Sequence, residues 1–153
     1  MYKVGIIGPE SSGKSTLARY LAKRYSGVLI PEYAREYVEQ KGTTEVTFDE
    51  LCAIAKHQIE ELETLSSNLY FFDTELIVTK VWFDYAFGRV PEWFNENIHR
   101  FPMDVYLLTY PDIAWIPDPA RSNGSDAIRK ELFDRYEAEI QSLDIPYYII
   151  RHV

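Results

Sequence analysis

With 153 residues, 46% of them hydrophobic and 26% charged, the chain is long enough for one compact core and too short for two ordinary domains, so residues 1–153 are expected to form a single domain. Sixteen Lys plus Arg against 24 Asp plus Glu leave a formal charge of −8, the wrong sign for a protein that coats nucleic acid through its phosphate backbone. A local phosphate site remains open, because a few backbone amides and one lysine can hold a nucleotide's phosphates on an otherwise acidic surface.

Cys52 is the only cysteine, which excludes an intrachain disulfide and a thiolate metal cluster. The apolar run after Met1 breaks by Gly8-Pro9, too early for a signal peptide or a membrane span, so a cytoplasmic protein without membrane contact is expected.

In chain order, residues 3–8 read as a short apolar strand. Leu17, Ala18, Leu21, Ala22 and Tyr25 then recur at helical spacing after a Gly/Ser-rich loop. Val28, Leu29 and Ile30 form a second buried strand, and a short helix over 33–40 stops at Lys41-Gly42. Thr47 and Glu50 have the spacing of a capping box, predicting a helix over 48–66. Four consecutive apolar residues, Leu69 to Phe72, suit a strand buried on both faces. Helices over 75–87 and 91–100, a strand over 105–109, a helix over 125–143 and a strand over 147–151 complete the pattern. The alternation predicts an α/β fold: a parallel sheet of about five strands sandwiched between helices. Because the sequence ends directly after a strand, a covering helix is expected to be missing or to lie outside it.

Gly8-Pro9-Glu10-Ser11-Ser12-Gly13-Lys14-Ser15 matches G-x-x-x-x-G-K-[ST] in full, and Thr16 follows inside the predicted helix. The glycines let successive N–H groups turn toward a β-phosphate, Lys14 bridges the β- and γ-phosphates, and Ser15 offers its hydroxyl to Mg²⁺. ATP and Mg²⁺ are therefore the expected ligands, and the α/β fold is expected to be of the P-loop NTPase type, with a short lid. The loop fixes the donor, not the reaction. No Asn-Lys-x-Asp guanine-reading segment occurs, and a motor ATPase usually needs more chain, whereas a small-molecule kinase needs only an acid for the acceptor, an acid for the metal and arginines on a lid.

Glu32 at the end of the second strand and Asp73 at the end of the third are the candidate acids, since both lie at the carboxyl edge of a parallel sheet. The plainer readings are a solvated acid for Glu32 and a helix N-cap for Asp73. The turn-rich stretch 115–125 reads as a lid on which Arg121, and later Arg129, can cover phosphates, the alternative being a surface loop with Arg129 paired to Asp126 or Glu131.

These residues resemble a known family. Gly8 to Thr16, Glu32-Tyr33-x-Arg35-Glu36, His57-Gln58, Asp73-Thr74 and Asp118-x-x-Arg121-Ser122 look like the ribosylnicotinamide kinase domain of NadR-type proteins, over nearly the whole chain. Pro31 stands where family members can carry a tryptophan. The resemblance implies transfer of the ATP γ-phosphoryl to nicotinamide riboside, giving nicotinamide mononucleotide. It implies acceptor contacts from Glu32, Tyr33, Arg35, Asp73 and Asp118. Tyr33, Trp82, Tyr85, Trp93 and Trp115 are candidates to face the cationic pyridinium ring, with Trp82 chosen among them. The expected partner is thus a small molecule, nicotinamide riboside or a related nucleoside. A kinase for another nucleoside and an ATP-binding regulatory module are the alternatives.

Overall fold

The computed structural model describes residues 1–10, 12–43, 45–111 and 126–151. Five parallel strands, β1 (Tyr2–Ile7), β2 (Val28–Ile30), β3 (Leu69–Asp73), β4 (Val105–Thr109) and β5 (Tyr147–Ile150), form one sheet in the order β2-β3-β1-β4-β5. Six helices connect them: α1 (Lys14–Arg24), α2 (Tyr33–Lys41), α3 (Phe48–Glu63), α4 (Leu76–Phe87), α5 (Glu92–Arg100) and α6 (Asp126–Leu143). This is the α/β P-loop NTPase fold.

Strand alternation divides the core. Val4, Ile6 and Phe71 face α1, where they pack with Ala18 and Ala22. The alternate residues Ile7, Tyr70, Phe72, Tyr106 and Leu108 face the opposite layer, whose larger core takes residues from α3, α4, α5 and α6. Leu69 to Phe72 thus serves both layers, as an unbroken apolar strand should. At α3 the capping box is complete: Thr47 Oγ1 accepts from the Glu50 amide at 3.1 Å, and Glu50 Oε1 accepts from the Thr47 amide at 3.0 Å.

Several element ends move by one residue relative to the sequence reading, and two differences go further. α3 stops at Glu63, three residues before Ser66. Asp73 does not cap α4; it remains in β3, and Glu75 is the cap, its Oε1 accepting from the Ile77 amide at 2.9 Å. No helix among the described residues is long and apolar enough to cross a membrane.

Candidate active site

The parallel sheet brings the ends of four strands to one edge. Register pairs Ile6 with Asp73 and Ile7 with Leu108, so Gly8 leaves β1 beside Thr109 and one strand away from Asp73. Glu32 lies two residues past Ile30, immediately before α2 rather than within β2. All of these residues belong to the carboxyl edge, the side on which open α/β sheets bind ligands.

Sterics shape the loop between β1 and α1. A Cβ on Gly8 would collide with Thr109 Oγ1, so only glycine lets the chain pass the end of β4. Ser12 Oγ donates to the Pro9 carbonyl at 2.5 Å and lies 2.6 Å from Thr109 Oγ1, which ties the loop to β4. Gly13, with φ 83°, takes a left-handed conformation just before α1. Arg129 fastens the loop from the other side. It lies in the first turn of α6, 1% exposed, with Nε donating to the Glu10 carbonyl at 3.1 Å and a terminal nitrogen donating to Asp126 Oδ1 at 3.1 Å.

Lys14 opens α1 and is buried, not solvent-facing, with its Nζ 3.8 Å from Glu32 Oε1. Ser15 is half-buried and Thr16 exposed on the same first turn. Asp73 is buried, and its Oδ1 has no hydrogen-bond partner among the described residues. A buried carboxylate oxygen of that kind is costly unless something ligates it, and a hard anionic oxygen beside a phosphate loop suits Mg²⁺.

A cavity of about 470 Å³ begins at Gly8, Glu10 and Lys14, passes Glu32 and Thr74, and runs between α2, α3 and α4. Beyond the acids its walls are largely apolar, with Val38, Leu51, Ile54, Val78 and Trp82 among them. Trp82 and Tyr85 stand edge to face, with centroids 5.5 Å apart. Arg35 also lines the cavity and lies 3.4 Å from Glu39 through its Nε. Phosphate loop, acid and aromatic wall therefore share one enclosure.

Tyr33 is not part of that lining. Its ring stacks on His57 with centroids 3.6 Å apart and borders a separate small crevice with Gln58, Glu61 and Glu75. Trp93 packs under Lys56, 5.3 Å from its Nζ. Ser11, Trp115, Asp118 and Arg121, and with them the expected lid, lie outside the described residues.

The sequence reading missed four contributors. Thr109 is a polar residue at the end of an otherwise apolar strand, a signal that was there to read. Glu75 follows Asp73-Thr74 at a strand-to-helix turn, and burial pushes its carboxyl up to about 7. Tyr106, which is hydrogen-bonded to Glu75, is raised well above a normal phenol, chiefly by burial. Thr79 on α4 donates through Oγ1 to Gln58 Oε1 on α3 at 2.7 Å, inside the cavity wall.

A family model described as an AAA domain matches residues 3–153. The trifunctional NAD biosynthesis/regulator protein NadR of Escherichia coli K12 is 30% identical over 134 residues, covering 84% of this chain and 33% of its own length. The chain thus spans about a third of the length of the curated relatives it matches. A crystal structure of a NadR protein in complex with NR superposes with a TM-score of 0.74 at 24% identity, over 97% of this chain and 43% of that one. Deoxyadenosine kinase from M. mycoides gives a TM-score of 0.61 at 16% identity, over 97% of this chain and 88% of that one.

Proposed function

The chain belongs to the AAA-domain family, and from that premise we propose that it is a kinase transferring the γ-phosphoryl of ATP to the 5'-hydroxyl of nicotinamide riboside, with ADP and nicotinamide mononucleotide as products. One observation carries the reading: a single cavity lined by Gly8 and Lys14 at one end, Glu32 beside them and Trp82 farther along. A hydrolytic module needs room for water; an enclosure of about 470 Å³ opening onto the phosphate loop suits an organic acceptor. Similarity to the NadR proteins supports this acceptor in particular.

In the proposed reaction the 5'-oxygen attacks the γ-phosphorus in line, the bond to the β-bridging oxygen breaks, and ADP leaves. Glu32 orients the hydroxyl and takes its proton as the new P–O bond forms. Lys14, close enough to pair with Glu32, turns to the β- and γ-phosphates and neutralises charge spreading over the equatorial oxygens. Ser15 and Asp73 are the residues that would hold Mg²⁺, which when bound draws charge from the phosphate oxygens. Arg129 keeps the loop in shape through the Glu10 carbonyl, and Arg121 is assigned to the phosphoryl group itself. Trp82 offers a ring face to the pyridinium cation. Of the other acceptor contacts the resemblance implied, Arg35 lines the enclosure, and Tyr33 and Asp118 remain part of the proposal.

ADP release should be slow with Mg·ATP alone and rise when nicotinamide riboside is added, more than with adenosine, cytidine or thymidine. Greater turnover with an ordinary nucleoside would transfer the assignment to that nucleoside's kinase. Saturable ATP binding with no acceptor-dependent turnover would make the chain a regulatory module.

A further inference from the structure

We infer that Thr79, held by Gln58, reads the substituent on the acceptor's ring and selects a carboxamide over groups that cannot donate a hydrogen bond. The inference rests on the proposed acceptor and goes beyond it, to the question of which pyridine ribosides the cavity admits.

The contribution of α4 to the cavity is Val78, Thr79, Trp82, Tyr85, Ala86 and Phe87. Thr79 is the one aliphatic hydroxyl in that set, and it is 4% exposed. Its proton is committed: Oγ1 donates to Gln58 Oε1 at 2.7 Å, and that bond is buried. Gln58 comes from α3, 8% exposed, and also borders the small crevice that holds Glu61 and Glu75. Two carboxyls on that side favour the amide nitrogen there and leave the amide oxygen for Thr79. With its proton directed into the wall, the hydroxyl has only lone pairs to offer the cavity.

Such a group complements a ligand N–H and conflicts with a ligand oxygen. A 3-carboxamide on a pyridinium ring brings two N–H donors, one of which can meet Thr79. A 3-carboxylate brings acceptors only and cannot make that contact, in an enclosure bordered by Glu32 and Glu45 as well as by Lys14 and Arg35. A 3-acetyl group has the carboxamide's shape and no charge, but a methyl replaces the nitrogen. For Thr79 to donate to either of these, Gln58 Oε1 would lose its partner inside the wall, which makes turning the hydroxyl unfavourable. Trp82, one turn farther along α4, is placed to set the ring so that its substituent reaches Thr79.

The test compares kcat/KM for the ribosides of 3-carboxamide, 3-acetyl and 3-carboxylate pyridine, first in the natural protein. The carboxamide should exceed the acetyl compound by about tenfold and the carboxylate by about 10- to 100-fold, the range set by one unmade buried hydrogen bond. Thr79→Val, which keeps the shape of the side chain, should bring carboxamide and acetyl to within about twofold, and Thr79→Ser should restore the preference. Equal turnover of carboxamide and acetyl ribosides in the natural protein overturns the role of Thr79 while the kinase reading stands, and that comparison does not depend on any variant folding. A preference that survives in a cooperatively folding Thr79→Val protein overturns it too. Turnover of none of the three ribosides overturns the kinase reading and this inference with it.

Discussion

Glu32 and Asp73 are the same chemistry in two different settings, and the settings assign them different work. Glu32 lines the cavity and lies within ion-pair distance of Lys14, so an acceptor hydroxyl entering there meets Glu32 first. Asp73 does not border the cavity; it is buried at the end of β3 with Oδ1 unpartnered among the described residues, a position suited to a cation. Glu32→Gln should therefore lower turnover by about 10²- to 10⁴-fold, the usual scale for a lost general base, while leaving Mg·ATP affinity nearly constant. Asp73→Asn should instead raise the Mg²⁺ concentration needed for half-maximal turnover. Steady-state kinetics across a Mg²⁺ titration separates the two, and reversed phenotypes would mean the roles are exchanged. Both acids were visible in the sequence, because each follows an apolar strand and precedes a helix. Their difference was not, since it depends on which side of the sheet edge the helices leave open.

At the scale of elements, most boundaries could be read from local chemistry. Thr47 and Glu50 announce α3, Gly42 ends α2 with φ 85°, and the Gly13-Lys14 junction marks where the loop becomes α1. Apart from Trp82, the cavity-lining face of α4 was not legible, because Leu76 to Phe87 is mostly apolar and only Lys80 and Asp84, which pair with Glu139 and Arg135 of α6, mark a polar side. Arg129 and its pairing with Asp126 could be read from the sequence, but its bond to the Glu10 carbonyl could not: it joins residues 119 positions apart, and spacing along the chain carries no trace of it. The turn between β3 and α4 gives a prediction of its own. Glu75 binds its proton up to about pH 7 in the folded protein, against 4.5 ordinarily, because burial disfavours the carboxylate. An acid with a raised folded pKa contributes its full share of stability below about pH 4.5 and loses it as the pH rises through about 7. The loss amounts to about 3 kcal/mol across that window. Glu75→Gln keeps an oxygen for the Ile77 amide and cannot ionise, so urea unfolding at pH 5, 6, 7 and 8 should show a shallower decline in the variant. Parallel curves for the two proteins would show that Glu75 is not the group responsible.

For the molecule as a whole, the sheet separates two unequal layers, and the site sits where their loops meet. Beneath the phosphate loop the core is small, built on Val4, Ile6, Ala18, Ala22 and Phe71, while the cavity is walled by the larger layer. A nucleotide bound at Gly8 to Lys14 therefore touches the loop anchored by Thr109 and by Arg129, and an acceptor touches α2, α3 and α4, so the two ligands brace different parts of one fold. Ligands that bind only the folded state raise its stability by mass action, by about 2.7 kcal/mol at 100 times the dissociation constant. For a chain of this size that is an increase in Tm of about 5–10 °C. Mg²⁺ with a nonhydrolysable ATP analogue should produce a shift of that order, and nicotinamide riboside added with it should produce a further one. Lys14→Ala should fold cooperatively yet lose most of the nucleotide-dependent part, because the phosphates would lose their buried cation. Thermal melts of both proteins, each with and without the two ligands, test this directly. A natural protein whose Tm ignores the nucleotide would remove the phosphate loop from the mechanism, whereas a nucleotide shift with no response to the riboside would leave the donor site intact and point to a different acceptor.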